Sequence, residues 1–164
     1  MAGATISREE ALEAAFPGAV IRAERVFLTE QQRNAAAALA GVEIPSALVA
    51  RYLAVSDGKV VGRAYLDTHV VRTKKESLLI CLDPSGHVKR IEVTAFLEPP
   101  EYHASAAWYS QYSGRGLSDE LSLQRAIRPV AGATLTAAAA NQAIRRVLAI
   151  DQILKSAPPP KGVR

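Results

Sequence analysis

Two short turns break the middle of the chain into strand-like segments. Ser56-Asp57-Gly58-Lys59 and Asp83-Pro84-Ser85-Gly86 each carry the Asp and Gly residues that tight hairpins need. The flanking segments 47–55, 60–71, 77–82 and 88–96 are rich in Val, Leu and Ile. Reversals this tight join only antiparallel neighbours, so this half of the chain is predicted to be a run of hairpins. In the last segment Ile91, Val93 and Ala95 alternate with Arg90, Glu92 and Thr94, which predicts one buried side and one solvated or ligand-facing side.

Helix signals surround this sheet. Ser7-Arg8-Glu9-Glu10 has the Ser-x-x-Glu form of a capping box, with Ile6 placed to staple onto the first turn of a helix ending at Phe16-Pro17-Gly18. Thr29-Glu30-Gln31-Gln32 repeats the device for a helix reaching Ala40-Gly41, with a strand over 20–28 between the two. After Pro99-Pro100, residues 101–112 are predicted helical and carry Tyr102, Trp108, Tyr109 and Tyr112. A final helix starts near Thr134, with Ala140, Ile144, Val147, Leu148 and Leu154 on one stripe and Arg145 and Arg146 on the other face. The predicted architecture is α+β, an antiparallel sheet with packed helices. It forms one domain over residues 1–157, and the proline-terminated stretch 158–164 is expected to be a disordered tail.

Composition narrows the chemistry. A 164-residue chain with 49% hydrophobic residues can build one substantial core. Its net charge of +4 favours anionic ligands only slightly. Cations and acids are interspersed and no recognition motif appears, so nucleic acid is not an expected partner. The single Cys81 excludes an intrachain disulfide, and His69, His87 and His103 share no ligand spacing, so no metal site is expected. Gly114 and Gly116 lack the strand-to-helix setting of a dinucleotide fingerprint. No apolar run reaches the length of a membrane span. Met1-Ala2-Gly3-Ala4 looks like the small-residue remnant of an export cleavage site, which points to a periplasmic or extracytoplasmic location.

The stretch Gly132-Ala133-Thr134-Leu135-Thr136 opens the last helix. A helix N-terminus exposes unpaired N–H groups and the positive end of the dipole, and a preceding glycine lets the backbone approach a ligand closely. Such a terminus suits an anion. From local physics alone the commoner reading is that Thr134 caps the helix and binds nothing.

Residues 127–136, Ile-Arg-Pro-Val-Ala-Gly-Ala-Thr-Leu-Thr, resemble the Ile-Asp-x-Val-Ser/Thr-Gly-Ala-Thr-x-Thr/Ser signature of FMN-binding domains. Domains of this family occur in the sodium-translocating NADH:quinone oxidoreductase and in the Rnf electron-transport complex. Two further segments resemble that family in order. Glu98-Pro99-Pro100-Glu101-Tyr102 is similar to its Glu-Thr-Pro-Gly-Leu turn, and Trp108-Tyr109-Ser110-Gln111-Tyr112-Ser113-Gly114-Arg115 to its Phe/Trp-x-x-Gln-Phe-x-Gly-Lys run. With the preceding hairpin, the resemblance covers about residues 45–155.

The resemblance implies an FMN-carrying electron-transfer domain rather than a stand-alone enzyme. It implies a flavin phosphate held by Gly132, Ala133, Thr134, Leu135 and Thr136, esterified to Thr134 where a separate flavin transferase acts. Glu98, Pro99 and Tyr102 would lie against the flavin. Arg72, Thr73 and Glu76 fall where the family approaches the isoalloxazine ring, although solvated loop residues are the equal alternative. The implied partners are a cytochrome or a membrane quinone-linked complex. Arg128 stands at the family's acidic position and Ala131 at its Ser/Thr, so Arg128 is a candidate phosphate partner for non-covalent binding. A binding or sensor module for FMN or another phosphorylated ligand, without electron transfer, is the alternative. Asp67 and His69 share a strand face, as a proton-handling pair or a structural hydrogen bond.

Overall fold

The structure is a computed structural model that describes residues 5–156. The expected export remnant at 1–4 and the tail at 158–164 lie outside the described residues. The chain folds as α1 (Arg8–Ala15), β1 (Val20–Phe27), α2 (Glu30–Ala40), β2 (Leu48–Ser56), β3 (Lys59–Val70), β4 (Lys75–Leu82) and β5 (Val88–Phe96). Three short helical pieces follow: a 3-10 turn (Pro100–Tyr102), α3 (Ala106–Tyr109) and a second 3-10 turn (Ser110–Tyr112). The long α4 (Thr134–Ser156) closes the described chain.

Five strands form one antiparallel sheet in the order β1-β2-β3-β4-β5, with short turns joining β2 through β5 and α2 lying between β1 and β2. Asp57 (φ 52°) and Gly58 (φ 74°) both adopt positive φ in the β2–β3 turn, where the right-handed twist of a two-residue hairpin demands it. Both capping boxes form: Ser7 and Thr29 accept from the N–H of Glu10 and Gln32, and each N-cap N–H is bonded in return. Each satisfies two amides that the first turn leaves open and contributes about 1 kcal/mol.

The two faces of the sheet are covered unequally. On one, α1 packs Ala11, Leu12, Ala15 and Phe16 over Tyr52, Ala54, Ala64, Leu79 and Cys81. On the other, α4 and the aromatic segment 104–112 cover Tyr65, Leu78, Ile80, Leu82, Ile91 and Val93, with α2 packed against α4. Burial pushes the Cys81 thiol up to about 12, so this cysteine is an inert core group.

Three expectations are corrected. Residues 101–112 do not form one helix: His103 stands extended, and Ser105 caps a new start by accepting from Trp108 N–H at 3.1 Å. The break lets the aromatic side chains diverge to different partners. Ala95 does not share a face with Ile91 and Val93, because a bulge pairs Ala95 with Ser77 and Val93 with Leu78. Arg145 and Arg146 do not face solvent, since α2 and the sheet enclose α4 from opposite sides. Arg145 reaches the carbonyls of Ala40, Ser118 and Leu121, and Arg146 forms a two-pronged pair with Asp67, both bonds 2.9 Å.

Candidate functional site

The β3–β4 connection, residues 71–74, turns so that three successive N–H groups point inward. Glu98 meets them. Its Oε2 accepts from Arg72, Thr73 and Lys74 at 2.9, 2.8 and 3.0 Å. Those backbone bonds, Lys74 and Thr73 foremost, hold the Glu98 carboxyl below its usual range. A carboxylate so engaged fixes a loop. Held in this way, Arg72 lays its guanidinium over the Tyr102 ring at 4.6 Å.

Tyr102 is fixed from the opposite side. The hydroxyl of Thr136, nearly fully buried, donates to the Tyr102 carbonyl at 2.6 Å and ties the first turn of α4 to the Pro100–Tyr102 turn. Between these walls opens a cavity of about 340 Å³ lined by Arg72, Tyr102, Gly132, Ala133, Thr134, Leu135 and Thr136. Gly132 enters at φ 75°, and an added Cβ would meet nothing within 4 Å, so glycine is required for backbone conformation rather than for close packing. Thr134 is exposed at the first helical position, and nothing among the described residues bonds its hydroxyl. Unspent first-turn amides, a free hydroxyl and a guanidinium converge on one opening, a setting suited to an anionic, phosphate-sized group.

The aromatic run serves the approach to this helix. Trp108 Nε1 donates to the Arg128 carbonyl at 2.6 Å, while Gln111 Oε1 accepts from the Arg128 N–H at 2.8 Å. The Trp-x-x-Gln spacing thus grips both backbone groups of one residue, four positions before Gly132. The Arg128 side chain is exposed and does not line the cavity. Tyr112 donates to Asn141 Oδ1 at 2.6 Å and anchors the same run to α4.

The sequence-predicted residues therefore separate. Arg72, Tyr102 and Gly132 through Thr136 come together at the cavity, with Glu98 and Thr73 supporting its wall and Pro99 in the turn beneath Tyr102. Glu76 goes elsewhere. It is fully buried and bonds His69 Nε2 at 2.8 Å and the Tyr109 hydroxyl at 3.2 Å. His69 Nδ1 contacts Asp67 at 3.0 Å, which completes a chain Arg146–Asp67–His69–Glu76–Tyr109. Burial alone would lower the His69 pKa, but the bonds and charges of Asp67 and Glu76 outweigh it and push it up to about 9. His69 is thus an imidazolium at neutral pH. Asp67 is held below its usual range, its burial offset by His69 and Arg146.

Sequence reading missed a second buried group. Asp151 pairs with Arg63 through bonds of 2.6 and 3.0 Å and accepts from Tyr65 at 2.7 Å. An acidic residue directly after the apolar run Val147–Ile150 was the available signal, because a carboxylate on a buried helix side needs a cation.

No family model, curated protein or solved structure matches the chain. Among the described residues, no helix is long and apolar enough to cross a membrane.

Proposed function

We propose that the protein is an FMN-binding electron-transfer domain whose flavin phosphate sits at the start of α4. The observation that supports this reading most is the single cavity shared by Arg72, Tyr102 and Gly132 through Thr136, which joins three segments far apart in sequence. FMN, when bound, supplies one- and two-electron transfer, so the chain itself needs no catalytic base or nucleophile. Its residues bind and orient. The amides of Thr134 and Leu135 and the helix dipole would receive the phosphate, Arg72 would add a cation, and Tyr102 would present an aromatic ring at the cavity edge.

The exposed Thr134 hydroxyl is the group available for esterification. An Oγ–P bond would replace Oγ–H, with a flavin transferase supplying a flavin nucleotide activated as an anhydride, whose other half leaves with the proton. The protein would gain the mass of FMN less water. A cytochrome or membrane quinone-linked complex would exchange electrons with it in an extracytoplasmic compartment.

Coexpression with a flavin transferase, acid precipitation and intact mass test this reading. Flavin absorption should stay with the precipitate, disappear in Thr134→Val and persist in Thr136→Val. Flavin that washes into the supernatant would instead support the non-covalent alternative, with Ala131 in place of the family's hydroxyl residue. If no flavin associates under either condition, the reading is lost.

A further inference from the structure

The end of the sheet that carries the β3–β4 turn has an unusual surface. Among the described residues, five of the eight exposed large hydrophobic side chains lie here or at the adjoining corner: Phe27 (72% exposed), Leu48 (47%), Val70 (53%), Leu97 (62%) and Leu135 (53%). Their adjacency follows from the pairing. Val70 stands opposite Lys75, Leu97 N–H bonds the Lys75 carbonyl at 3.0 Å, and Phe27 stands opposite Leu48. Leu135 shares its cavity with Arg72. Strand alternation places Val70, Lys75 and Leu97 on the face that α1 covers, but beyond the reach of that helix.

The exposed charge of the β3–β4 turn itself is cationic. Arg72, Lys74 and Lys75 fall within four residues, all exposed, and none forms an ion pair among the described residues. The acids nearest the turn are Glu98, closed by three backbone amides beneath it, and Glu101, exposed in the next segment, while Glu30 and Glu43 are exposed beside the Phe27–Leu48 corner, away from the turn. The rows Phe27–Leu48 and Val70–Lys75–Leu97 carry no carboxylate.

We propose that this end of the molecule docks on the surface of an anionic lipid bilayer. Aliphatic side chains that protrude next to lysines suit a headgroup boundary, which demands no matching shape: the aliphatics enter the acyl edge while the ammonium groups stay among the phosphates. Protein interfaces, by contrast, are depleted in lysine. A second copy of the same cationic surface would be repelled. Lys74, Lys75, Val70 and Leu97, which carry the docking, lie outside the flavin cavity, so the docking does not depend on bound flavin.

Co-sedimentation of the full chain with phosphatidylcholine vesicles containing about a third phosphatidylglycerol is the test, with pure phosphatidylcholine as reference. The protein should pellet with the anionic vesicles, release at high salt, and ignore the neutral ones. Lys74→Gln with Lys75→Gln should weaken partitioning roughly fivefold for each lysine. Val70→Ser with Leu97→Ser should weaken it while leaving the salt dependence unchanged. Circular dichroism on both pairs verifies that these exposed positions leave the fold intact. Absence of wild-type binding to anionic vesicles, or binding that survives both pairs, would overturn the proposal. So would concentration-dependent dimers abolished by the serine pair, which would assign the surface to a second copy. Saturable binding of soluble polyglutamate without vesicle binding would assign it to an acidic protein.

Discussion

The two ends of α4 treat polar groups in opposite ways. Toward its C-terminal half, Arg146 and Asp151 are buried and each is matched to a partner on β3: Asp67 for the first, Arg63 and Tyr65 for the second. At its first turn, Thr134 is exposed with an uncommitted hydroxyl, and only Thr136, two residues on, is tied down. A buried charge must be satisfied by the fold, because burial without a partner costs several kcal/mol. A group at a solvent-facing helix end carries no such demand and stays available for a ligand. Polar satisfaction therefore marks where the helix is structural, and under the proposed reading its absence marks where the ligand would sit.

Substitutions at the two ends should behave accordingly. The largest effect is expected at the sealed end: Asp151→Ala leaves Arg63 buried without its counter-charge and should cost about 3–5 kcal/mol, read from the urea midpoint. A loss below about 1 kcal/mol would show that water reaches this end.

The His69 chain sharpens the comparison through pH. A folded-state pKa raised to about 9 from 6.5 means its contribution is complete below about pH 6.5 and is lost as pH rises through 9. The decline should be on the order of 2 kcal/mol in urea melts between neutral and alkaline pH, and His69→Gln should flatten it. Asp67 has the reverse sign, with stability present above the ordinary carboxylate pKa and lost on acidification.

Glu98 links the two regimes, since a satisfied carboxylate supports the open site. Glu98→Ala should lower the urea midpoint through the loss of three backbone bonds. Amide exchange at Arg72, Thr73 and Lys74 should rise at the same time, and added FMN should bind more weakly. Unchanged exchange would mean the turn holds without it.

The smallest effects separate the two threonines. Thr136→Val should destabilise by about 1 kcal/mol through the lost bond to the Tyr102 carbonyl, whereas Thr134→Val should stay within about 0.5 kcal/mol. Flavin retained after denaturation should follow the opposite order. If Thr134→Val proves the more destabilising, its hydroxyl is a cap rather than a ligand site.

Much of the fold is legible in the residues themselves. Ser7 and Thr29 announce two helix starts, and Asp57-Gly58 sets a hairpin, because each acts within about one turn of its own position. The segments at 98–102 and 132–136 are neighbours in space, and the cavity contains both Tyr102 and Thr134. Glu76 is not legible as a core group. It sits beside the exposed Lys75 in a run of polar residues, and only its pairing opposite His69 reveals that its side chain enters the protein. Arg145 and Arg146 mislead for a similar reason: amphipathic periodicity assumes one covered side, and α4 is covered on two.

By itself, then, the amino-acid sequence determined the local devices: the caps, the tight turns, the glycine-led start of α4 and the α+β order of elements. Each depends on residues within a few positions of one another. Tertiary structure alone decided which polar groups were spent. That Glu98 fastens the Arg72–Lys74 amides, that Thr136 is committed while Thr134 is not, and that Asp151 finds Arg63 all depend on contacts spanning 24 to 88 positions in the chain. Hydrogen-bond satisfaction is set by three-dimensional neighbours, and no local pattern encodes it.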